Sequence, residues 1–369
     1  MTDSAYGAPR TAVLVLGAGS WGTALAIVLA RNGQRSLLWG RDPAHVADLQ
    51  GERSNRRYLP GVPFPALLEP LSDLGSGLAA AEDIVLAVPL AALRPSLERL
   101  AHALPRPMPL ALACKGVETG SRKLPHEIVE AVFHQSYPLA VISGPSFAQE
   151  AARGLPTAVT VAAHDAHLAA RLVARLHHGA FRAYRGDDVI GVEVCGAVKN
   201  VLAIAAGISD GLGCGANARA ALVTRGLAEL TRFGVALGGR APTFTGLAGL
   251  GDLVLTCTDN QSRNRRLGLA IGGGREVGAA LAEIGQVIEG LPAAREIAYL
   301  AERHAVEMPI VSQVVRVLDG ACSPGEAVQD LLARAPKAEV ACPRGELGNQ
   351  GPEAVYGEVV RRAGRRKQP

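Results

Sequence analysis

The chain has 369 residues, 48% of them hydrophobic and 20% charged, with a net charge of +4. That length points to two domains with a substantial core, and the composition excludes a largely disordered chain. The charge is small and spread along the chain except for Arg361, Arg362, Arg365, Arg366 and Lys367, so nucleic acid is not an indicated partner. The six cysteines form no CxxC pair, which fits a reducing compartment. No basic leader opens the chain, and no apolar run reaches the ~18–20 residues that cross a bilayer. A soluble, cytoplasmic protein without a membrane span is expected.

From Thr11 onward short β-rich runs alternate with helical stretches, the pattern of βαβ units feeding a mostly parallel sheet. Strands are predicted at Ala12–Leu16, Ser36–Trp39, Ile84–Val88, Leu110–Cys114, Ala140–Ile142 and Ala158–Ala162. Most are apolar throughout, as strands covered on both faces by helices are.

The first strand runs into Gly17-Ala18-Gly19-Ser20-Trp21-Gly22, followed by helix-forming Thr23–Arg31. A GxGxxG in this strand-turn-helix setting is a dinucleotide fingerprint. Gly17 permits the tight turn, Gly19 lets backbone N–H groups approach a pyrophosphate, and Gly22 lets the helix pack against the sheet. The helix N-terminus adds the positive end of its dipole. The competing reading is a strand-to-helix turn with no ligand. The second strand ends at Gly40-Arg41-Asp42, where an acid would hold the ribose hydroxyls of NAD and an arginine would accept the 2′-phosphate of NADP. Arg41 favours NADP over NAD, unless it is an ordinary loop charge.

Lys115 follows the strand ending at Cys114, and Ser143-Gly144-Pro145-Ser146-Phe147 follows Val141-Ile142. Both fall at the carboxyl ends of strands, where open α/β sheets bind ligands. Simple turn formation by Gly144 and Pro145 is the alternative.

After about Gly191 alanine and leucine dominate, and helices are predicted at Val192–Ile208, Ala218–Phe233 and Ala293–His304. Lys199 is the only cation between Arg185 and Arg219. Desolvated in an apolar helix, its ammonium would lose proton affinity and suit proton transfer near neutral pH; a lysine snorkelling to solvent is the other reading. If Asp252 opens a helix, Thr256 lies on the same face. Ser262, Arg263 and Asn264 offer a hydroxyl, a guanidinium and an amide in succession, a set suited to phosphate oxygens or simply a polar loop. Beyond Pro336 no apolar periodicity persists, and residues 336–369 are expected to form a mobile tail.

The expected fold class is α/β: a doubly wound, Rossmann-like, mostly parallel sheet over residues 11–190, then a separate all-helical domain over 191–335. The ordered runs GAGSWGTALA, ACKGVE, SGPSFAQE, GVEVCGAVKNV, NARAALVTRGLAE, GLAGLGDLVLTCT, NQSRNRR and GQVIEG resemble the bacterial NAD(P)-dependent glycerol-3-phosphate dehydrogenases across about residues 11–335. The resemblance implies interconversion of sn-glycerol 3-phosphate and dihydroxyacetone phosphate, feeding phospholipid synthesis. It implies Lys199 as proton acceptor and donor at the C2 oxygen, Lys115 as a second cation there, and Asp252 and Thr256 as the groups that hold the lysine. By the same resemblance Gly144, Ser146, Ser262, Arg263 and Asn264 bind substrate along with Lys115, Lys199 and Asp252. The cofactor falls to Ser20, Trp21, Arg41, Tyr58, Lys115, Ala148, Arg263, Val287 and Glu289 beside the three glycines. The apolar helical domain makes a homodimer the expected assembly. One departure is Val194-Cys195-Gly196, where the family more often has Leu-Gly-Gly. Cys195 is read as a small buried hydrophobe rather than a redox thiol.

Other classes fit less well. A 2-hydroxyacid dehydrogenase would normally use a histidine base, yet no histidine lies between His178 and His304. His164, His167, His177 and His178 lack the further ligands that would complete a metal site, so no metal is expected. A dinucleotide sensor would need none of Lys115, Lys199, Asp252 and Thr256. A β-hydroxyacid dehydrogenase with a phosphate-free substrate would leave Ser262-Arg263-Asn264 superfluous.

Overall fold

The apolar runs of the first half become strands buried on both faces. The computed structural model describes residues 12–335, so the expected tail at 336–369 lies outside the described residues. Among the described residues ten strands form: β1 (Ala12–Leu16), β2 (Ser36–Trp39), β3 (Ser54–Asn55), β4 (Leu59–Pro63), β5 (Leu68–Leu71), β6 (Ala81–Leu86), β7 (Leu110–Leu112), β8 (Leu139–Ser143), β9 (Thr157–Ala162) and β10 (Phe181–Gly186). Eight make one sheet in the order β10-β9-β8-β7-β6-β1-β2-β5, and β3 and β4 pair separately. The strands from β5 through β8 run parallel; β9 reverses against β8 and pairs in parallel with β10.

Every residue of β1 and β2 is buried, which is why neither shows polar alternation. The two outer strands escape sequence reading for opposite reasons. β10 alternates buried Phe181 and Ala183 with exposed Arg182 and Tyr184, as an edge strand does. β5 contains Pro70, which an edge strand tolerates because no ladder bond is needed on its outer side. β1 sits between β2 and β6, so the chain leaves it in opposite directions and opens a crevice at its carboxyl end. The glycine turn stands there.

After β10 the described residues form helices and no further strand. The longest, Val189–Gly211, is the one described helix long and apolar enough to cross a membrane, but 94% of its most apolar window is buried inside the protein. It is a core helix, with every residue from Gly191 to Ser209 buried. Helix Arg263–Gly272 crosses it backbone to backbone. A Cβ on Gly207 would stand 2.2 Å from the Arg265 carbonyl oxygen, and one on Gly268 would stand 2.1 Å from that of Ile204. Gly211 and Gly272 continue the seam one turn on. Neither neighbour is a side chain that can swing away, so Gly207→Ala or Gly268→Ala should separate the helices at a cost of about 1–3 kcal/mol. Urea denaturation reads this as a lower midpoint, and an unchanged midpoint would refute the close crossing.

Candidate active site

The turn after β1 shows which of its glycines the fold needs and which it does not. Gly17 has φ +115°, and a Cβ there would lie 2.6 Å from the Ala87 carbonyl oxygen. A Cβ on Gly22 would collide with the Gly17 carbonyl oxygen at 1.9 Å. Gly19 has ordinary backbone angles and nothing within 4 Å of a Cβ. No packing requirement explains it, whereas a phosphate resting on the backbone would. Helix Ser20–Arg31 starts here with no side-chain cap, leaving its first N–H groups open to an anion. The residues therefore fit a dinucleotide.

Asn55, which no sequence motif marks, fastens this turn. It is fully buried, and its amide nitrogen donates to the Ala18 carbonyl at 3.0 Å and the Thr23 hydroxyl at 2.8 Å. Further along the crevice strands, the Asp42 carboxylate caps helix Pro43–Glu52 by accepting from the Ala44 N–H at 3.1 Å, while Arg41 is exposed. Tyr58 is partly exposed, with His45 edge-on at 5.5 Å and the Arg57 guanidinium 5.0 Å from its ring centre. Ala148 opens helix Ala148–Arg153 beyond β8. Val287 is exposed, and Glu289 directly precedes helix Gly290–Arg303. Burial pushes the Glu289 carboxyl up, with Arg263 first and then Lys115 and Lys199 drawing it back, so Glu289 stands within the field of these three cations.

Lys199 sits in the middle of helix Val189–Gly211, and Asp252 opens helix Asp252–Thr258 after a π-helical turn, Leu247–Gly251. That turn requires Gly249, whose Cβ would meet the Phe244 carbonyl oxygen at 2.0 Å. Lys199 Nζ donates to Asp252 Oδ1 at 2.5 Å and to Thr256 Oγ1 at 3.0 Å. The Thr256 hydroxyl donates its own proton to the Asp252 carbonyl at 2.6 Å, which leaves its lone pairs for the lysine. Lys115 Nζ reaches the other oxygen, Asp252 Oδ2, at 2.6 Å, and the Gly144 carbonyl at 3.5 Å. One buried carboxylate thus holds two ammonium groups side by side.

The electrostatics follow from that count. Burial lowers the Lys199 ammonium to about 8; Asp252 holds it up in part, and the positive charge of Lys115 pushes it down. For Asp252, burial alone would raise the carboxyl, but Lys115 and Lys199 together outweigh it and keep it below the ordinary carboxylate range. The centre carries more positive than negative charge, which suits an anionic substrate or an oxygen that becomes negative during reaction.

The expected phosphate cluster divides into two kinds of residue. Ser262 caps helix Arg263–Gly272 by accepting from the Arg265 N–H at 3.2 Å. Asn264 donates to Asn200 Oδ1 at 2.9 Å and accepts from the Gly290 N–H at 2.9 Å. Arg263 is half-buried and has no ion pair or side-chain hydrogen bond among the described residues, which leaves its guanidinium free for a ligand. Ser146 Oγ donates to the Gly144 carbonyl at 2.9 Å, and Gly144, at φ +147°, packs where a Cβ would be 2.9 Å from the Ala158 carbonyl oxygen. Cys195 is fully buried, and desolvation pushes its thiol up, away from thiolate chemistry. No cluster of three or more metal-ligating side chains occurs among the described residues.

A buried lysine able to carry a proton near neutral pH can serve an alcohol–ketone interconversion, and the glycine turn provides the place for a dinucleotide to take up or give the hydride. Fold and site together define a nicotinamide-dependent dehydrogenase. Residues 12–169 match the family model for the N-terminus of NAD-dependent glycerol-3-phosphate dehydrogenase, and residues 188–329 match the model for its C-terminus. Glycerol-3-phosphate dehydrogenase [NAD(P)+] of Nitrosococcus oceani is 55% identical over 328 residues, covering 89% of this chain and 95% of the relative. The protein of the same name from Halorhodospira halophila is 53% identical over 327 residues, covering 89% and 98%. A crystal structure of glycerol-3-phosphate dehydrogenase from Coxiella burnetii superposes with a TM-score of 0.84 at 51% identity, covering 88% of this chain and 99% of that one. The chain belongs to the NAD-dependent glycerol-3-phosphate dehydrogenase family.

Proposed function

We propose that this chain interconverts sn-glycerol 3-phosphate and dihydroxyacetone phosphate with NAD(P), and that Lys199 carries the proton at the C2 oxygen. The observation behind this reading is the buried Lys199 ammonium on Asp252, drawn down to about 8. In the oxidative direction neutral Lys199 accepts the C2 hydroxyl proton; in the reductive direction its ammonium returns it. Bound in the glycine-turn crevice, a nicotinamide would exchange the hydride with C2. Lys115 stabilises negative charge developing on the C2 oxygen, and Asp252 and Thr256 fix the Lys199 amine. Arg263, with Ser262 and Asn264 at the start of helix Arg263–Gly272, takes the phosphate. Gly144 and Ser146 line the substrate side. Gly17, Gly19, Ser20, Trp21, Gly22, Arg41, Tyr58, Ala148, Val287 and Glu289 serve the cofactor, together with Lys115 and Arg263, which face both ligands.

NADP is the preferred form: Asp42 is engaged as a helix cap and Arg41 is exposed, which supports a 2′-phosphate rather than free ribose hydroxyls. Residues 11–190 act as the dinucleotide domain and 191–335 as the substrate domain, a division supported by the change from β10 to helix Val189–Gly211. A homodimer is supported by Leu212, Val235 and Val254, apolar side chains exposed on the helical half. We read its role as supplying glycerol 3-phosphate for phospholipid synthesis in the cytoplasm; the five free cysteines of the described residues agree with a reducing compartment.

The pH dependence tests the assignment of Lys199. Oxidation needs the neutral amine, so its kcat should rise with pH through about 8; reduction needs the ammonium, so its kcat should fall through the same range. Limbs of the same sign in both directions would remove Lys199 from the proton-carrying role.

A further inference from the structure

The catalytic helix makes three sets of contacts along one face. Glu193, Gly196 and the pair Lys199 and Asn200 follow one another at about one helical turn, and so point the same way. Lys199 holds Asp252, and Asn200 meets Asn264. Glu193, buried at 3% exposure, places Oε1 2.9 Å from the His126 N–H and Oε2 2.5 Å from His126 Nδ1. His126 stands in the first turn of helix Pro125–Phe133, at the far end of the loop that starts with Lys115. That loop is closed on itself, with Glu118 N–H donating to the Lys123 carbonyl at 3.0 Å and Arg122 N–H to the Glu118 carbonyl at 2.9 Å. Arg94 ties Glu118 to the helix before β7 at 2.7 Å. One turn along the catalytic helix, a Cβ on Gly196 would lie 3.1 Å from Lys115 Cγ and 3.4 Å from its Cβ and Cδ. The bare glycine forms the slot through which the Lys115 stem reaches Asp252.

A carboxylate buried this deeply costs more than the apolar side chain that packing alone would accept. We infer that Glu193 is a positioning residue for the reaction: through His126 it locks the Lys115 loop onto the helix face that carries Lys199, and with the Gly196 slot it fixes where the Lys115 ammonium meets Asp252. Glu193 touches neither substrate nor cofactor. This rests on the reading of Lys115 as the second cation of the site.

The test measures kcat and KM for Glu193→Gln and Gly196→Ala in the full chain, each alone and combined with Lys115→Ala. Glu193→Gln should lower kcat about 10- to 100-fold by misplacing a charged group, a larger change than in the KM of either substrate. In the Lys115→Ala background it should cost less than about twofold further, because the group it positions is gone. Gly196→Ala should show the same pattern while leaving the Glu193–His126 contact in place, and it decides the matter if Glu193→Gln does not fold. Equal fold-losses in both backgrounds would overturn the inference while leaving the role of Lys115 standing. A Lys115→Ala enzyme with unchanged kcat would instead remove Lys115 from the site, and this inference with it.

Discussion

Lys199→Ala lowers kcat by about 10²- to 10⁴-fold in both directions, the range lost when a positioned acid–base group is removed, and leaves cofactor KM nearly unchanged. The amine is the group with both the burial and the lowered proton affinity that the transfer needs. The turn after β1, proposed to hold the dinucleotide, is not contacted by Lys199 through any hydrogen bond among the described residues. The fold should tolerate the change, because Asp252 keeps Lys115 at 2.6 Å as a counter-charge and is not left as an unpaired buried carboxylate. Lys199→Met, which preserves the volume of the stem, should lose as much activity as Lys199→Ala. A loss under tenfold in either variant would show that another group moves the proton.

Arg263→Ala raises KM for dihydroxyacetone phosphate by about 10²- to 10³-fold, the loss expected for charged hydrogen bonds to a phosphate at about 1.5–3 kcal/mol each. Its main effect should be on binding, because among the described residues Arg263 makes no ion pair or side-chain hydrogen bond whose loss would weaken the structure, and its charge acts on Glu289 only through space. Its two neighbours behave differently. Asn264→Ala breaks the bridge from Asn200 to the Gly290 N–H, and Ser262→Ala removes a helix cap, so both should also lower the unfolding midpoint. Arg263→Lys should recover only part of the affinity, since a single ammonium cannot match two phosphate oxygens as a planar guanidinium does. Steady-state kinetics with varied dihydroxyacetone phosphate measure this, and an unchanged KM for Arg263→Ala would take it out of the phosphate site.

What could be read in the sequence was local or strictly periodic. β1 and β2 were legible because buried parallel strands are apolar throughout, and the glycine turn because its three glycines serve one short stretch of backbone. Asp252 and Thr256 were legible as a helical i, i+4 pair. Features made between distant segments were not. Glu193 and His126 are 67 positions apart, and an acid within an apolar helix gives no hint of its partner. Asn55 lies in a polar stretch with no motif, and it clamps a turn 37 residues earlier in the chain. The crossing of Gly207 with Gly268 depends on two helices whose contact no single-segment pattern encodes. Ser262 and Asn264 stand out in the sequence only as polar residues, and their work as cap and bridge became visible only with the fold.

The most direct test of the account is the oxidation of NADPH and of NADH by the purified chain when dihydroxyacetone phosphate is added, with unphosphorylated dihydroxyacetone run in parallel. The account predicts turnover with dihydroxyacetone phosphate, faster with NADPH than with NADH, and about 10²-fold or more lower kcat/KM without the phosphate proposed to meet Arg263. Absence of turnover with both cofactors, or equal use of the unphosphorylated ketone, would contradict it.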